Sequence, residues 1–470
     1  MRNLILGANY VMSHILHLYH LAALDYVDPT VSTLPDAIKK RGFLCPQYDS
    51  SYFKFNAATT DYLIFQYLKA LNIRRAAHEL VAIWGGRAPS ASVFTPGGVS
   101  SSITQQKIDQ SRKILEDKLK PFIGTPLDYA LSNPGTYLYD VVAVAHTYPE
   151  YFWVGNSHER FLSYGCFEEG DTDLGTPQGN YDERLLMRGR RHSADPTTIF
   201  NSYTPGFVPS KGTNLKAPLV VNQLKIREAV KKSWYTYKPA KPKWRHPWKG
   251  QTRPSPNKTG AYTWVKTPRY LDGTNLAYEV GPLARMVVNG DYYAGFLYDA
   301  GYTGTPQYGA TAPSGPGSGT YVGDSVLDRH AARALECYKV AHALQDWVDK
   351  LQDLYDDDKR DGCTNPPHGP VRRGYGMTEA PRGALAHWMK TKDDKITKYQ
   401  CIVPTTWNSS PKDGSGQHGA TEQSLMGLTI ADTDNPVEAL RAIRGFDQCI
   451  ACAVHIVTPK GKVKKFVMPF

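Results

Sequence analysis

Nowhere in this sequence do ~18–20 consecutive apolar residues occur, the length a membrane-spanning helix requires. The start also lacks the charged-then-apolar pattern of a secretory signal, so any export would have to be directed by a partner. Cysteine is scarce. Its seven positions (Cys45, Cys166, Cys337, Cys363, Cys401, Cys449 and Cys452) are odd in number and irregular in spacing, which argues against a disulfide framework. No internal repeat is visible, which excludes a solenoid. Acidic residues are outnumbered, 44 Asp and Glu against 55 Lys and Arg, giving a net charge of +11. Such a balance raises the prior for an anionic partner. Four of the cations sit in the tail, at Lys460, Lys462, Lys464 and Lys465, so without it the charge falls to 11 − 4 = +7. An uneven surface charge without nucleic acid is the simpler account.

What is abundant is aromatic and irregular. Thirty Tyr and nine Trp imply extensive buried or interfacial ring surface. Forty Gly and 33 Pro imply long loops between helices. With 41% hydrophobic and 21% charged residues, the 470-residue chain is of globular type and long enough for one large domain or two to three smaller ones. Apolar residues at helical spacing (Leu4, Ile5, Val11, Met12, Ile15, Leu16, Leu18, Tyr19) predict a first helix over 2–28 that stops before Pro29, as if the chain begins inside a fold. Further helices are expected over 57–84, closed by Gly85-Gly86, over 104–119, ending before Pro121, and over 328–359. The stretch 395–410 reads as short strand, and 301–324 as a long surface loop. The fold class expected is α+β, mainly helical: a long-helix bundle core with small sheets and long irregular loops.

The sharpest motif is Phe446-Asp447-Gln448-Cys449-Ile450-Ala451-Cys452-Ala453-Val454-His455. Two thiolates three positions apart can bind one metal from a tight turn. Alone, such a motif fits zinc, redox chemistry or chance about as well as anything sharper. It is preceded by Glu379-Ala380-Pro381-Arg382-Gly383-Ala384-Leu385-Ala386-His387-Trp388, by Tyr399-Gln400-Cys401-Ile402-Val403-Pro404-Thr405-Thr406-Trp407-Asn408, and by Ser410-Pro411-Lys412-Asp413. In this order the series resembles the C-terminal third of nickel–iron hydrogenase large subunits. Upstream, Tyr278-Glu279-Val280-Gly281-Pro282-Leu283-Ala284-Arg285, Gly250–Pro254, Tyr262–Tyr270, Gly85–Pro89, Pro96–Val99 and the early helix around His17–Asp25 extend the resemblance over the whole chain. The chain departs from the family pattern at Gln448 (usually Pro), Ser90 (usually His) and Arg87 (usually Lys).

The resemblance implies a nickel–iron centre with carbon monoxide and cyanide on iron, Cys449 terminal on nickel, and Cys452 bridging the metals. Pro381, Leu385, Val403 and Pro404 would wall the diatomic ligands, and Thr405 and the Arg382 backbone would donate hydrogen bonds to cyanide. Arg382 would overhang the open metal position, paired with Asp447, because a buried guanidinium needs a partner. His455 and the backbone carbonyl of Cys401 would bind a magnesium (or iron) ion, leaving the Cys401 thiol as a small buried hydrophobe. The reaction implied is heterolytic cleavage or formation of hydrogen, with Cys449 or Arg382 taking the proton. Electrons would pass to an iron–sulfur small subunit in a heterodimer. The location implied is periplasmic, membrane-associated through partner subunits. The family also carries an Arg-x-Cys-Gly-x-Cys motif, with a Glu nearby, before the early helix. No Cys precedes Cys45 here, so half of the nickel ligands and one carboxylate are expected from a truncated upstream segment or from a separate chain.

Other features favour plainer roles. His14, His17 and His20 are better read as packed, hydrogen-bonded histidines than as a metal set. Basic and aromatic residues alternate over 231–253 in a way that could stack single-stranded nucleic acid, but a subunit-facing loop is the better fit. Asp356-Asp357-Asp358 is expected to be a solvated helix end. A non-catalytic or split half-subunit is the main alternative, and a zinc-dependent nucleic-acid-binding protein a weaker one. A quinone-reductase-type subunit that keeps the fold without nickel would have lost the cysteines, yet Cys449 and Cys452 are present.

The resemblance also divides the chain into a hydrogenase domain, residues 1–455, and a maturation peptide, residues 456–470, cut by an endopeptidase once the metals are in place. Intact mass of the nickel-loaded protein should show a chain ending at His455; a mature enzyme still ending at Phe470 contradicts this.

Overall fold

The structure, a computed structural model, describes all residues except 40–49, 96–97, 125–133, 153, 168–205, 209–220, 238–242, 250–251, 290–322, 358–370, 394, 450–452, 458–462 and 468–470. The expected loop over 301–324 therefore lies almost wholly outside the described residues, as do Cys45, Cys363 and Cys452.

Local chemistry sets the helix limits. Helix α1 (Arg2–His17) runs into a widened π turn, Leu18–Ala22, and a tight 3₁₀ turn, Ala23–Asp25. The expected single helix over 2–28 is thus broken after His17. The wider turn re-aims the side chains: His17 meets the carbonyl of Arg444, while Tyr19 donates to Asp140. Helix α2 (Ala57–Gly85) starts where Asn56 accepts the Thr59 N–H at 2.9 Å and stops at Gly86, whose φ of 76° suits glycine. Helix α3 (Gln105–Ile114) continues through a π turn, Leu115–Leu119, into Lys120–Ile123. Pro121 lies inside this last segment and does not end the helix as expected; Gly124 does, at φ 86°. A proline early in a helical segment forfeits little, because first-turn N–H groups lack partners anyway.

Helices α4 (Tyr137–Thr147) and α5 (Pro282–Asn289) complete the bundle around α6 (Val326–Asp356). The start of α6 is a capping box. Ser325 accepts the Asp328 N–H, and Asp328 accepts the Ser325 N–H. Asp328 is therefore the third residue of the helix and not its first. At the other end Asp356 and Asp357 are exposed, as expected of a solvated end. Helix α6 is buried over most of its length and packs on α1 so closely that a Cβ on Gly7 would stand 2.8 Å from Trp347.

Small antiparallel sheets flank the bundle. One orders β1 (Ile226–Ala229), β2 (Thr267–Asp272) and β3 (Thr274–Leu276) side by side. The other is a meander of β4 (Val371–Ala380), β5 (Gly383–Lys392) and β6 (Lys395–Ile402). The strand expected over 395–410 is real only to Ile402. Pro404, with its fixed φ, then opens a short helix, α7 (Pro404–Asn408). A second core of Trp388, Trp407, Tyr270, Tyr278 and Ile402 lies among these elements. Helix α8 (Val437–Gly445) follows, and a hairpin of β7 (Ala453–Val457) and β8 (Val463–Val467) closes the chain. No described helix is long and apolar enough to cross a membrane.

Strands β4 and β5 meet in a two-residue turn, Pro381-Arg382, with Ala380 paired to Gly383. Gly383 (φ 132°) backs onto Gly281 (φ 128°), and a Cβ on Gly383 would stand 2.6 Å from the Gly281 nitrogen. The turn is pressed on the 278–285 segment by the Gly281 backbone and by the Val280 side chain, which a Cβ on Gly383 would meet at 2.7 Å. Gly383→Ala should therefore destabilise the protein by about 2–3 kcal/mol, read as a lowered denaturant midpoint; an unchanged midpoint contradicts this packing.

Candidate metal centre

The turn that carries Arg382 rests on a buried arginine from α5. Arg285 grips Glu336 of α6 with two hydrogen bonds of 2.6 Å. It also reaches Glu379 at 2.7 Å and the carbonyls of Ala380 and Pro381 at 3.1 and 2.8 Å. Tyr10 of α1 lays its ring beneath the guanidinium, 5.0 Å away. Glu336 takes a further bond from His14 at 2.8 Å, and Glu379 accepts the Tyr164 N–H at 2.7 Å. One charge thus ties α1, α5, α6 and the β4–β5 turn together.

The two carboxylates are not equivalent. Burial raises the Glu336 carboxyl, but the Arg285 charge, its two bonds and the His14 contact outweigh burial and bring it down to about 2. Burial pushes Glu379 up to about 7, and its single contact with Arg285 does not offset this. Arg285 is therefore balanced mainly by Glu336. Burial also holds His14 below its ordinary value, so its contact with Glu336 is a hydrogen bond from a neutral ring.

Further buried arginines fix the approach to Cys449. Arg329 grips Glu279 through two 2.8 Å bonds and lies 3.7 Å above the Phe446 ring. Arg333 donates to the carbonyl of Gly445 at 3.1 Å. Arg441 of α8 donates to the Tyr151 hydroxyl and sits over the rings of Tyr26, Tyr148 and Tyr151. The chain leaves α8 with little freedom.

At its end, Arg382 donates from Nε to both Oδ1 and the carbonyl of Asp447, each at 3.1 Å, as expected for this pair. Asp447 is buried at a left-handed φ of 54°, and its Oδ2 has no hydrogen-bond partner among the described residues. Thr405 accepts the Cys449 N–H on Oγ1 at 3.3 Å. Gln448 uses both ends of its amide, accepting from Ser409 and donating to Thr421 at 2.9 Å. These bonds hold the turn at the position where a proline would otherwise stiffen it. The Cys449 thiol is exposed.

The structure brings together Arg382, Asp447, Thr405 and Cys449 in this way. Pro381 and Pro404 are buried beside them, Leu385 is half-buried, and Val403 is 38% exposed. Cys401 corrects an expectation: its thiol is exposed, not buried. Side chains alternate along β6, and Ile402 takes the core side, so Cys401 faces outward. Cys452 lies outside the described residues, and His455 is described only as backbone of β7. Among the described residues no three metal-ligating side chains meet. Of these groups only the Cys449 thiol is a donor suited to a soft metal; the Thr405 hydroxyl and the Arg382–Asp447 pair lie around it as hydrogen-bonding groups.

His14, His17 and His20 are each hydrogen-bonded within the helical core. The aromatic residues around 231–253 largely stack on other protein groups: Trp234 and Tyr235 meet Trp264, and Trp248 meets His246 and Tyr375. The supporting roles of Arg285, Glu336, Glu379, Arg329 and Glu279 were missed by sequence reasoning. The available signal was a set of charges, Arg329, Arg333 and Glu336, recurring at helical spacing on a helix otherwise apolar enough to be buried.

Beside the turn opens a cavity of about 900 Å³, lined by Met1, Asn3, Cys166, Glu379, Pro381 and Leu385 among others.

A family profile described as nickel-dependent hydrogenase matches residues 1–42 and 35–455. The periplasmic [NiFeSe] hydrogenase large subunit of Desulfomicrobium baculatum is 34% identical over 460 residues, covering 97% of this chain and 78% of that protein. The uptake hydrogenase large subunit of Bradyrhizobium diazoefficiens is 31% identical, covering 98% and 81%. Among solved structures, the Ni-Fe-Se hydrogenase from D. vulgaris Hildenborough superposes with a TM-score of 0.72 at 31% identity, covering 95% of this chain and 80% of that one.

Arg285→Met would strand Glu336 and Glu379 and should cost about 3–5 kcal/mol of stability. Glu336→Gln tests the charge by pH. Its folded pKa lies below the ordinary value of 4.5, so its contribution is complete above about pH 4.5 and is lost as pH falls toward 2. The melting-temperature gap between wild type and Glu336→Gln should be widest near about pH 6 and shrink toward about pH 3; a constant gap contradicts the assignment.

Proposed function

The chain belongs to the nickel-dependent hydrogenase family, and on that premise we propose that Cys449 and Cys452 are thiolate ligands of its nickel–iron centre, with Arg382 and Asp447 shaping the reactive side. The protein is a hydrogenase large subunit, an oxidoreductase acting on hydrogen, and it works with a small subunit. The observation that carries the site assignment is the linkage of Arg382 through Asp447 to the turn that presents Cys449, with Thr405 bonded to the Cys449 backbone.

When bound, the metal pair supplies the polarisation that splits hydrogen heterolytically. The chain's own groups do the rest. The Cys449 Sγ is the proton acceptor, exposed and soft. Arg382 spends its Nε on Asp447, which leaves its Nη ends to orient the substrate. Pro381, Leu385, Val403 and Pro404 limit water near carbon monoxide and cyanide ligands. Thr405 accepts the Cys449 N–H, and its own hydroxyl proton remains for a cyanide, with the Arg382 backbone as a second donor. His455 and the Cys401 carbonyl would hold magnesium or iron; among the described residues that carbonyl accepts a long 3.4 Å bond from Gln400. The remaining nickel thiolates come from an Arg-x-Cys-Gly-x-Cys segment, whether joined upstream or carried by another polypeptide.

The family match ends at His455, which supports removal of residues 456–470 by a maturation endopeptidase. The β7–β8 hairpin pairs segments on either side of that cut. A periplasmic location is supported by the relative from Desulfomicrobium baculatum, and attachment to the membrane would run through partner subunits.

Nickel content and hydrogen-dependent dye reduction of the native complex test the assignment. Cys449→Ser should lose nickel together with activity. Arg382→Lys and Asp447→Asn should keep nickel but lower turnover roughly 10²–10³-fold, the scale for removing a preorganised charged donor. Full nickel occupancy in Cys449→Ser would overturn the ligand assignment, and a co-purifying chain bearing Arg-x-Cys-Gly-x-Cys would establish the split arrangement.

A further inference from the structure

Away from the metal centre, the β4–β5–β6 meander carries a row of like charges. Arg373 of β4 pairs in register with Lys390 of β5, and Lys390 pairs with Lys398 of β6. Like charges directly opposite across strands repel, and a fold normally avoids three in a row. Here the row forms one wall of a cavity of about 560 Å³. Arg227 and Lys249 line the same cavity from β1 and from the turn Pro247–Lys249. Among the described residues no carboxylate ion-pairs with any of these five. Glu228, next to Arg227, is buried and engaged by Lys266 and Gln400.

Two of the cations, Arg373 and Lys398, are held in place. Trp248 stands between them: the Arg373 guanidinium lies 5.3 Å from its ring, and Lys398 donates to its carbonyl at 2.8 Å. His246, also in the wall, is fixed by Gln223. Its pKa is pushed down to about 4, first by burial and then by Arg227 and Lys249, so it adds no charge of its own.

We propose that this cavity binds a compact polyanion bearing adjacent phosphate groups. Its volume falls in the range of small-molecule sites, roughly 300–1,000 Å³. Guanidinium forks from Arg227 and Arg373 suit tetrahedral oxyanions, and the lysines supply point charges around them. A single carboxylate or chloride would leave most of the repulsion standing; two linked phosphates would neutralise most of it. The same paired-phosphate chemistry could be offered by a soluble diphosphate ester or by a lipid headgroup that carries two phosphates.

The test uses the purified native complex near physiological salt. Inorganic pyrophosphate is titrated calorimetrically, and sedimentation is measured with vesicles containing cardiolipin, whose headgroup carries two phosphates, against phosphatidylcholine vesicles. Lys390→Gln and Arg373→Gln, both exposed and far from the metal turn, should each weaken binding roughly tenfold, the loss expected for one charge-assisted contact. They should also reduce any rise in melting temperature caused by a fixed concentration of pyrophosphate. Pyrophosphate binding sensitive to both variants identifies a soluble ligand. Binding only to the cardiolipin vesicles, with the same sensitivity, identifies a lipid headgroup. No binding to either probe, or binding that both variants leave unchanged, overturns the proposal.

Discussion

The arrangement around the β4–β5 turn depends on a buried guanidinium that cannot be left alone. A fully buried arginine costs several kcal/mol unless its charge and donors are answered. Arg285 is answered by Glu336, Glu379 and the carbonyls of Ala380 and Pro381, groups on α6 and at the β4–β5 turn. Meeting that demand brings α1, α5, α6 and the β4–β5 turn into one arrangement. Arg382 is the next residue in that turn, so its position is inherited from Arg285 and not from local loop preference.

The same device recurs on either side. Arg329 joins the Glu279 segment to α6 beneath Phe446, and Arg333 holds the end of α8 through the Gly445 carbonyl. Asp447 and Cys449 follow directly. A redox centre gains from such construction, because rigid charges oriented beforehand need no reorganisation during the reaction. Glycine does the complementary work where Gly281 and Gly383 meet without side chains, letting two backbone segments close on each other.

How much of this was legible depended on the range of each interaction. Helix α2 could be read almost to the residue because its cap and its glycine stop are local. The start of α6 was read late, since Asp328 looks like a cap until Ser325 is seen to share the box. The π turn after His17 leaves the apolar spacing nearly intact and could not be read. The end of β6 was masked by a run of β-branched residues, and Pro404 decided it. Within the site, the pairing of Arg382 with Asp447 was anticipated from the family pattern. Beneath it, His14, Arg285, Glu336 and Glu379 are joined over separations of up to 322 residues, and no local pattern could reveal them. Cys401 went wrong because its carbonyl role drew attention from strand alternation, which turns its thiol outward.

The central claim is that the turn after α8 presents Cys449 to nickel as part of a bimetallic site. X-ray absorption at the nickel edge of the native complex measures this most directly. The account predicts a first shell of sulfur with an iron scatterer beyond it. A shell of nitrogen and oxygen, or the absence of an iron neighbour, would contradict it.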